Sequence, residues 1–307
     1  MIDSDIAISV AALALQKSEK LAGVALRQFL ENLRAVAGIQ ALSINDVLER
    51  AGISRPHVNM TVGDVERHID AALALGIAPL PISSVRYPPM LRRMVDAPLV
   101  LFARGDIAVL ERLPGVAVTG TRRATPHGLA IARRISQYLS DEGQVVVSGL
   151  TVGIDAAAHE GAMNGKSPAI AVLAHGLERA TPARVRPLAD RILEEGGAWV
   201  SEHPPGVRAT PASLASCHRI QVGFTCASII VEGGEQSAST AHAEFCRREN
   251  RMMFAVLPQP GSNVSTSSGL PEALVAQHGA TPIHSRADYP AMVDAVLTQA
   301  ARLGVVP

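Results

Sequence analysis

Residues 115–155 read GVAVTGTRRATPHGLAIARRISQYLSDEGQVVVSGLTVGID. An apolar strand, Val116 to Thr119, runs into a small polar turn, Gly120-Thr121-Arg122-Arg123. Leu129, Ile131, Ala132, Ile135 and Leu139 then fall near the spacing of one helical face. A second strand, Val145 to Val147, enters another turn of small residues, Ser148-Gly149-Leu150-Thr151-Val152-Gly153. Strand, turn and helix in repetition predict parallel βαβ units. Both turns fall at carboxyl ends of strands, where open α/β sheets take ligands. Glycines there allow close backbone approach to a phosphate, and the next helix offers its positive end. Arg122 and Arg123 add fixed positive charge. The stretch therefore predicts a site for something phosphorylated.

The same pattern continues downstream. Strands are expected at Ala169–Leu173, Ala198–Ser201, Ala227–Val231 and Met252–Val256, with helices at Pro187–Glu195, His242–Asn250 and Ala291–Leu303. Residues 1–80 read as a separate helical domain, 81–286 as the α/β core and 287–307 as a closing helix. The fold expected is α/β: an extended Rossmann-like, mostly parallel sheet with helices on both faces, plus a small helical N-terminal domain. That N-terminal region either assists nucleic-acid binding or is a dimerisation or packing cap. Pro81, Pro88, Pro89 and Pro98 mark the junction.

Composition excludes several classes. The chain of 307 residues is 48% hydrophobic and 18% charged, so it is not disordered. Zero formal net charge leaves room for a local basic patch but not for a globally basic nucleic-acid binder. Cys217, Cys226 and Cys246 form no CxxC pair, which argues against zinc or a disulfide framework and fits a reducing cytoplasm. The first twenty residues lack the basic start and cleavage site of a signal peptide. No apolar run reaches the ~20 residues of a membrane span. Aromatics are only 3%, little material for base-stacking platforms. No cofactor or metal is expected.

Individual residues carry paired readings. Arg122 is a phosphate clamp or a solvated charge; an arginine at a helix start opposes the dipole, which favours the clamp. Ser148 and Gly149 donate to a phosphate or simply make a tight turn. Gly153 belongs to the same turn. Asp155 caps the helix that follows it, and His159 packs. Glu202 orients a ligand hydroxyl or braces neighbouring loops. Glu232 binds a sugar hydroxyl or pairs with an arginine such as Arg219. Ser237 and Ser239 donate to a phosphate or cap the next helix.

The motifs in order resemble the DprA/Smf family of DNA-processing proteins. The matching stretches are YPPML, VTGTRRATPHG, SGLTVGIDAAAHEGAM, AVLAHGL, SEHPPG, HRIQVG, VEGGEQSAST and AQHGA, over residues 85 to 285. The resemblance implies a non-enzymatic protein that holds single-stranded DNA in a basic pocket, passes it to a RecA-type recombinase in natural transformation, and works as a homodimer. It implies that the turns at Gly120, Thr121, Ser148, Gly149 and Ser237, with Arg122, Arg123 and Arg219, meet the DNA. The sequence departs from the family pattern at Val152, where arginine is usual. Cys217-His218-Arg219 replaces a usual Arg-Asn-Arg, and Ala238 and His242 replace Gly and Thr. The charge of His218 depends on its surroundings. An alternative expectation is a small-nucleotide sensor or a phosphoribohydrolase, with Glu232 or Glu235 stabilising charge on the ribose.

Overall fold

The computed structural model describes residues 2–18, 23–37, 42–53, 59–112, 114–234, 239–259 and 268–304. The chain forms two compact units. The first comprises residues 1–104 with 175–178 and 200–208; the second comprises 105–174, 179–199 and 209–307.

Four helices open the first unit: α1 (Ile2–Ser18), α2 (Gly23–Ala37), α3 (Ile44–Arg50) and α4 (Asn59–Ala74). The α3 start is a capping box, in which Ser43 accepts from the Asp46 backbone N–H and the Asp46 carboxylate accepts in return from the Ser43 backbone N–H. Strand β1 (Ile77–Pro81) follows, then α5 (Pro89–Arg93) and β2 (Val100–Gly105). β1 pairs antiparallel with β2. Prolines at 79 and 81 conceal β1 in the sequence, since proline cannot donate to a ladder and survives only where no partner needs its N–H. Tyr87 of the YPPML motif is fully buried, and its hydroxyl donates to the Pro98 carbonyl at 2.7 Å.

The second unit contains β3 (Gly115–Thr119), α6 (Pro126–Asp141), β4 (Val146–Ser148), α7 (Ile154–Ala162), β5 (Ala169–Val172) and α8 (Arg186–Glu194). They are followed by β6 (Ala198–Ser201, of which residues 200 and 201 belong to the first unit), α9 (Pro211–Gly223), β7 (Thr225–Ile230), α10 (Ser239–Arg248), β8 (Met252–Val256), α11 (Gly269–His278), β9 (Thr281–Ile283) and α12 (Tyr289–Arg302). The strands from β5 onward run in the order β5-β4-β3-β7-β8-β9, each neighbour parallel, with β6 beside β5. This is the mostly parallel, Rossmann-like sheet the sequence predicts.

Burial explains why β3 and β7 are largely apolar: every residue of both is enclosed, as in a sheet covered on both faces. Alternation along the strands supplies two cores. Ala227 and Ile229 of β7 and Phe254 and Val256 of β8 pack with Ile135 of α6, Ala158 of α7 and Val296 of α12. Ile230, Met253 and Ala255 pack on the other face with Val222 of α9, Cys246 of α10 and Leu274 of α11.

The chain leaves β3 for β4 and β5 on one side, then returns to β7 on the other. The sheet order therefore switches between β3 and β7. Crevices open at such a point, because the connections on its two sides diverge.

Candidate nucleic-acid interface

A cavity of about 710 Å³ lies at that switch point. Its rim is Gly120, Thr121, Arg122 and Arg123 after β3, Gly149 and Thr151 after β4, and Gly234 after β7. Its far wall is α9, which contributes Pro211, Leu214, Ala215, Cys217, His218 and Gln221, and Asp155 of α7 closes the floor. Arg122 and Arg123 are exposed, whereas Asp155, His218 and Gln221 are buried.

Backbone geometry fixes the two turns against each other. Gly153 adopts φ 90°, and a Cβ there would come within 2.7 Å of the Arg122 Cα. The backbone N–H of Ile154 donates to the Thr121 carbonyl at 3.2 Å. The Thr121 N–H donates to the Glu232 carbonyl at 2.8 Å, and the Arg123 N–H to the Thr121 hydroxyl at 3.2 Å. These two amides are therefore committed within the protein, and the first turn presents arginine side chains. Leu150 sits at φ 53°, an unusual backbone for a residue with a Cβ, and marks stored strain beside the cavity. Gly149 admits no side chain, because a Cβ would lie 2.8 Å from Asp155 Oδ2 and 2.9 Å from Gln221 Nε2.

Asp155 does not cap α7. The N-cap is Gly153, which makes no side-chain bond to the helix. The Asp155 carboxylate instead accepts the Thr119 hydroxyl at 3.1 Å and the Thr151 hydroxyl at 2.8 Å. Burial pushes its pKa up, opposed by the nearby His218. Burial pushes His218 down, opposed by Asp155. His218 Nδ1 lies 3.4 Å from His242 Nδ1, and His242 Nε2 lies 2.9 Å from the Ser228 hydroxyl. Burial, reinforced by His218, holds His242 well below the ordinary histidine range. His159 is wholly enclosed one turn beyond Asp155, and burial lowers its pKa to about 4.

The structure thus gathers Gly120, Thr121, Arg122, Arg123, Gly149 and Asp155 around one cavity. Other candidates stand apart from its lining. Ser148 is buried and its hydroxyl donates to the Val118 carbonyl at 2.7 Å, inside the sheet. Gly153 serves the contact between turns. Ser239 is buried at the start of α10. Arg219 follows His218 on α9 but is not among the lining residues. Ser237, Glu235 and Ala238 lie outside the described residues. Glu202 belongs to the first unit, 4.0 Å from His203 Nε2.

Glu232 is directed to the start of α6. Its carboxylate accepts the Thr125 N–H at 2.8 Å and the Thr125 hydroxyl at 2.6 Å, steadying the residue that caps α6. Leu214, Gln221 and Thr151 were not legible as site residues. The available signal was the start of α9, where Thr210, Pro211 and Ser213 form a capping box with proline in the first turn. Among the described residues no cluster of three His, Cys, Asp or Glu side chains could hold a metal, and no helix is long and apolar enough to cross a membrane.

A family model, DNA recombination-mediator protein A, matches residues 79–293. The chain is 34% identical over 213 residues to the DNA processing protein DprA of Bacillus subtilis, covering 69% of this chain and 70% of that one. The X-ray structure of DprA from Streptococcus pneumoniae superposes with a TM-score of 0.69 at 29% identity, covering 91% of this chain and 95% of that chain. A Helicobacter pylori DprA structure, described for its single-stranded DNA binding mode, shares the fold with a TM-score of 0.62 at 21% identity, over 72% of this chain and 97% of that one. With the parallel sheet, the cavity at its switch point and a match over most of its length, the chain belongs to the DNA recombination-mediator protein A family, the DprA/Smf proteins.

Proposed function

We propose that this chain binds single-stranded DNA in the cavity between the β3 and β4 turns, as a non-enzymatic mediator that works in the cytoplasm. The observation that carries this reading is the pair of exposed arginines on the rim of a cavity large enough for a nucleotide unit. Guanidinium groups suit phosphate, and the open rim lets a strand pass over the cavity. Arg122 and Arg123 neutralise phosphates, while Gly120, Thr121 and Gly149 allow the strand to approach. Ser148, Gly153, Ser239 and Glu232 support this geometry from behind the lining. Residues 81–286 form the binding module, 1–80 an accessory domain and 287–307 a closing helix. A homodimer that hands the strand to a RecA-type recombinase completes the proposal.

Among the described residues no observation favours the phosphoribohydrolase alternative: both oxygens of the Glu232 carboxylate are bonded to Thr125, and Glu235 lies outside the described residues. The test is a fluorescence-anisotropy titration with a short single-stranded oligonucleotide at low and high salt, competed with duplex DNA and mononucleotides. Salt-steep, single-strand-selective binding is expected. Selective displacement by a mononucleotide, or no DNA binding at all, contradicts the proposal.

A further inference from the structure

We propose that Asp155 and His218 together take up one proton from solvent when a DNA phosphate enters the cavity, so that His218 is a ligand-sensing member of the site. This rests on the phosphate reading of the cavity given above. Three observations carry it: both side chains line the cavity, both are buried, and the histidine has an acceptor behind it.

An ionised Asp155 repels an incoming phosphate. Its two oxygens already accept the Thr119 and Thr151 hydroxyls, so the side chain is held in place and cannot swing away. The cost of placing an anion near it falls if the pair gains a proton. His218 is built to accommodate that proton. When His242 donates Nε2–H to Ser228, its Nδ1 is a lone pair, 3.4 Å from His218 Nδ1. The histidinium form of His218 donates Nδ1–H to that lone pair, and its hydrogen bond with the Gln221 side chain also favours the charged form. His242 is thus a positioning residue, and its own burial keeps it neutral.

The surrounding groups do not compete for the proton. On α9 the neighbours are Cys217 and Gln221 in the lining and Arg219 beside them. From α10 come His242 and Cys246; burial pushes the Cys246 thiol up to about 12, and it donates to Ser228 at 3.3 Å. Glu244 and Arg247 of α10 line a different cavity with α11. β7 offers Ser228, with Cys226 pushed up to about 11 by burial, and β5 has no titratable residue. The turns contribute Arg122 and Arg123 on the rim.

The sign follows from linkage. A phosphate raises the proton affinity of the pair, so DNA affinity is highest at low pH and is lost as pH rises through the pKa of the bound state. Between pH 8 and 6, affinity should rise by up to about tenfold per pH unit as the site fills with its proton.

The test is isothermal titration calorimetry of the full chain with an oligothymidylate, whose bases do not titrate near neutrality, in buffers of different ionisation enthalpy. About one proton is expected to be taken up by the natural chain. His218→Asn should still bind, take up none, and show a flat pH profile from 6 to 8. If His218→Asn does not fold, Asp155→Asn tests the same pair, with the same loss of uptake expected. Binding by the natural chain without proton uptake overturns the inference and leaves the DNA site standing. Uptake that persists in either folded variant also overturns it. A folded natural chain that binds no DNA at any pH overturns the phosphate reading, and this inference with it.

Discussion

Asp155 and Glu232 are both buried carboxylates at the carboxyl end of the parallel sheet, and they do opposite things. Glu232 accepts the backbone N–H and hydroxyl of one residue, Thr125, and so anchors the start of α6. Asp155 accepts two threonine hydroxyls, one from the end of β3 and one from the turn after β4, and lies on the cavity floor with His218. The first carboxylate is tied to the fold. The second is tied to the ligand space. Their sequence surroundings suggest the reverse, since Asp155 stands at a helix start and Glu232 in a glycine-rich turn. The partner decides the role: a helix-capping threonine uses up one carboxylate, and a titratable histidine keeps the other responsive.

The sharpest break of this comparison is at Gly128. A Cβ there would run into the Glu232 carboxylate. Gly128→Ala should cost about 3 kcal/mol, the upper end for overpacking a closed site, read by urea denaturation. An unchanged midpoint would mean that Glu232 is free to move and does not anchor α6. Next comes Glu232→Gln, which leaves one of Thr125's two donors without its acceptor. It should cost about 1–2 kcal/mol of stability while DNA affinity holds within about twofold. Asp155→Asn should do the converse. Stability changes by less than about 1 kcal/mol, and affinity at pH 8 rises several-fold, because a buried charge that repels phosphate is gone. If both acids shift the same quantity, the division between them is wrong. The smallest effect is expected at Ser148. Ser148→Ala should lose about 1 kcal/mol from its bond to Val118, with no change in DNA binding. A drop in affinity there would restore Ser148 to the ligand site.

The rim of the site was legible because it is local. Gly120, Arg122, Arg123 and Gly149 sit in strand-end turns whose position follows from the apolar runs on either side. The central strands β3, β5, β7 and β8 also announce themselves as largely apolar runs, the mark of burial on both faces, whereas β9, Thr281-Pro282-Ile283 with Thr281 exposed, does not. The wall of the site was not legible. Helix α9 arrives about sixty residues after the second turn by chain order, and its face toward the cavity mixes Leu214, Cys217, His218 and Gln221. Such a face gives no apolar period of 3.6. The direction of the Ser148 hydroxyl was hidden for a related reason. A strand residue points to one face or the other, and a small polar turn does not reveal which. β1 was concealed by its prolines, which read as breakers wherever they stand.

The most direct test of the central claim is the salt dependence of oligothymidylate binding by the natural chain and by the Arg122→Ala/Arg123→Ala double variant, followed by anisotropy. If the exposed arginines hold phosphates, the double variant binds more weakly at low salt. Its slope of log affinity against log salt also falls by roughly 0.7 per arginine. Equal affinity and an equal slope for the two proteins would place the DNA elsewhere on the molecule.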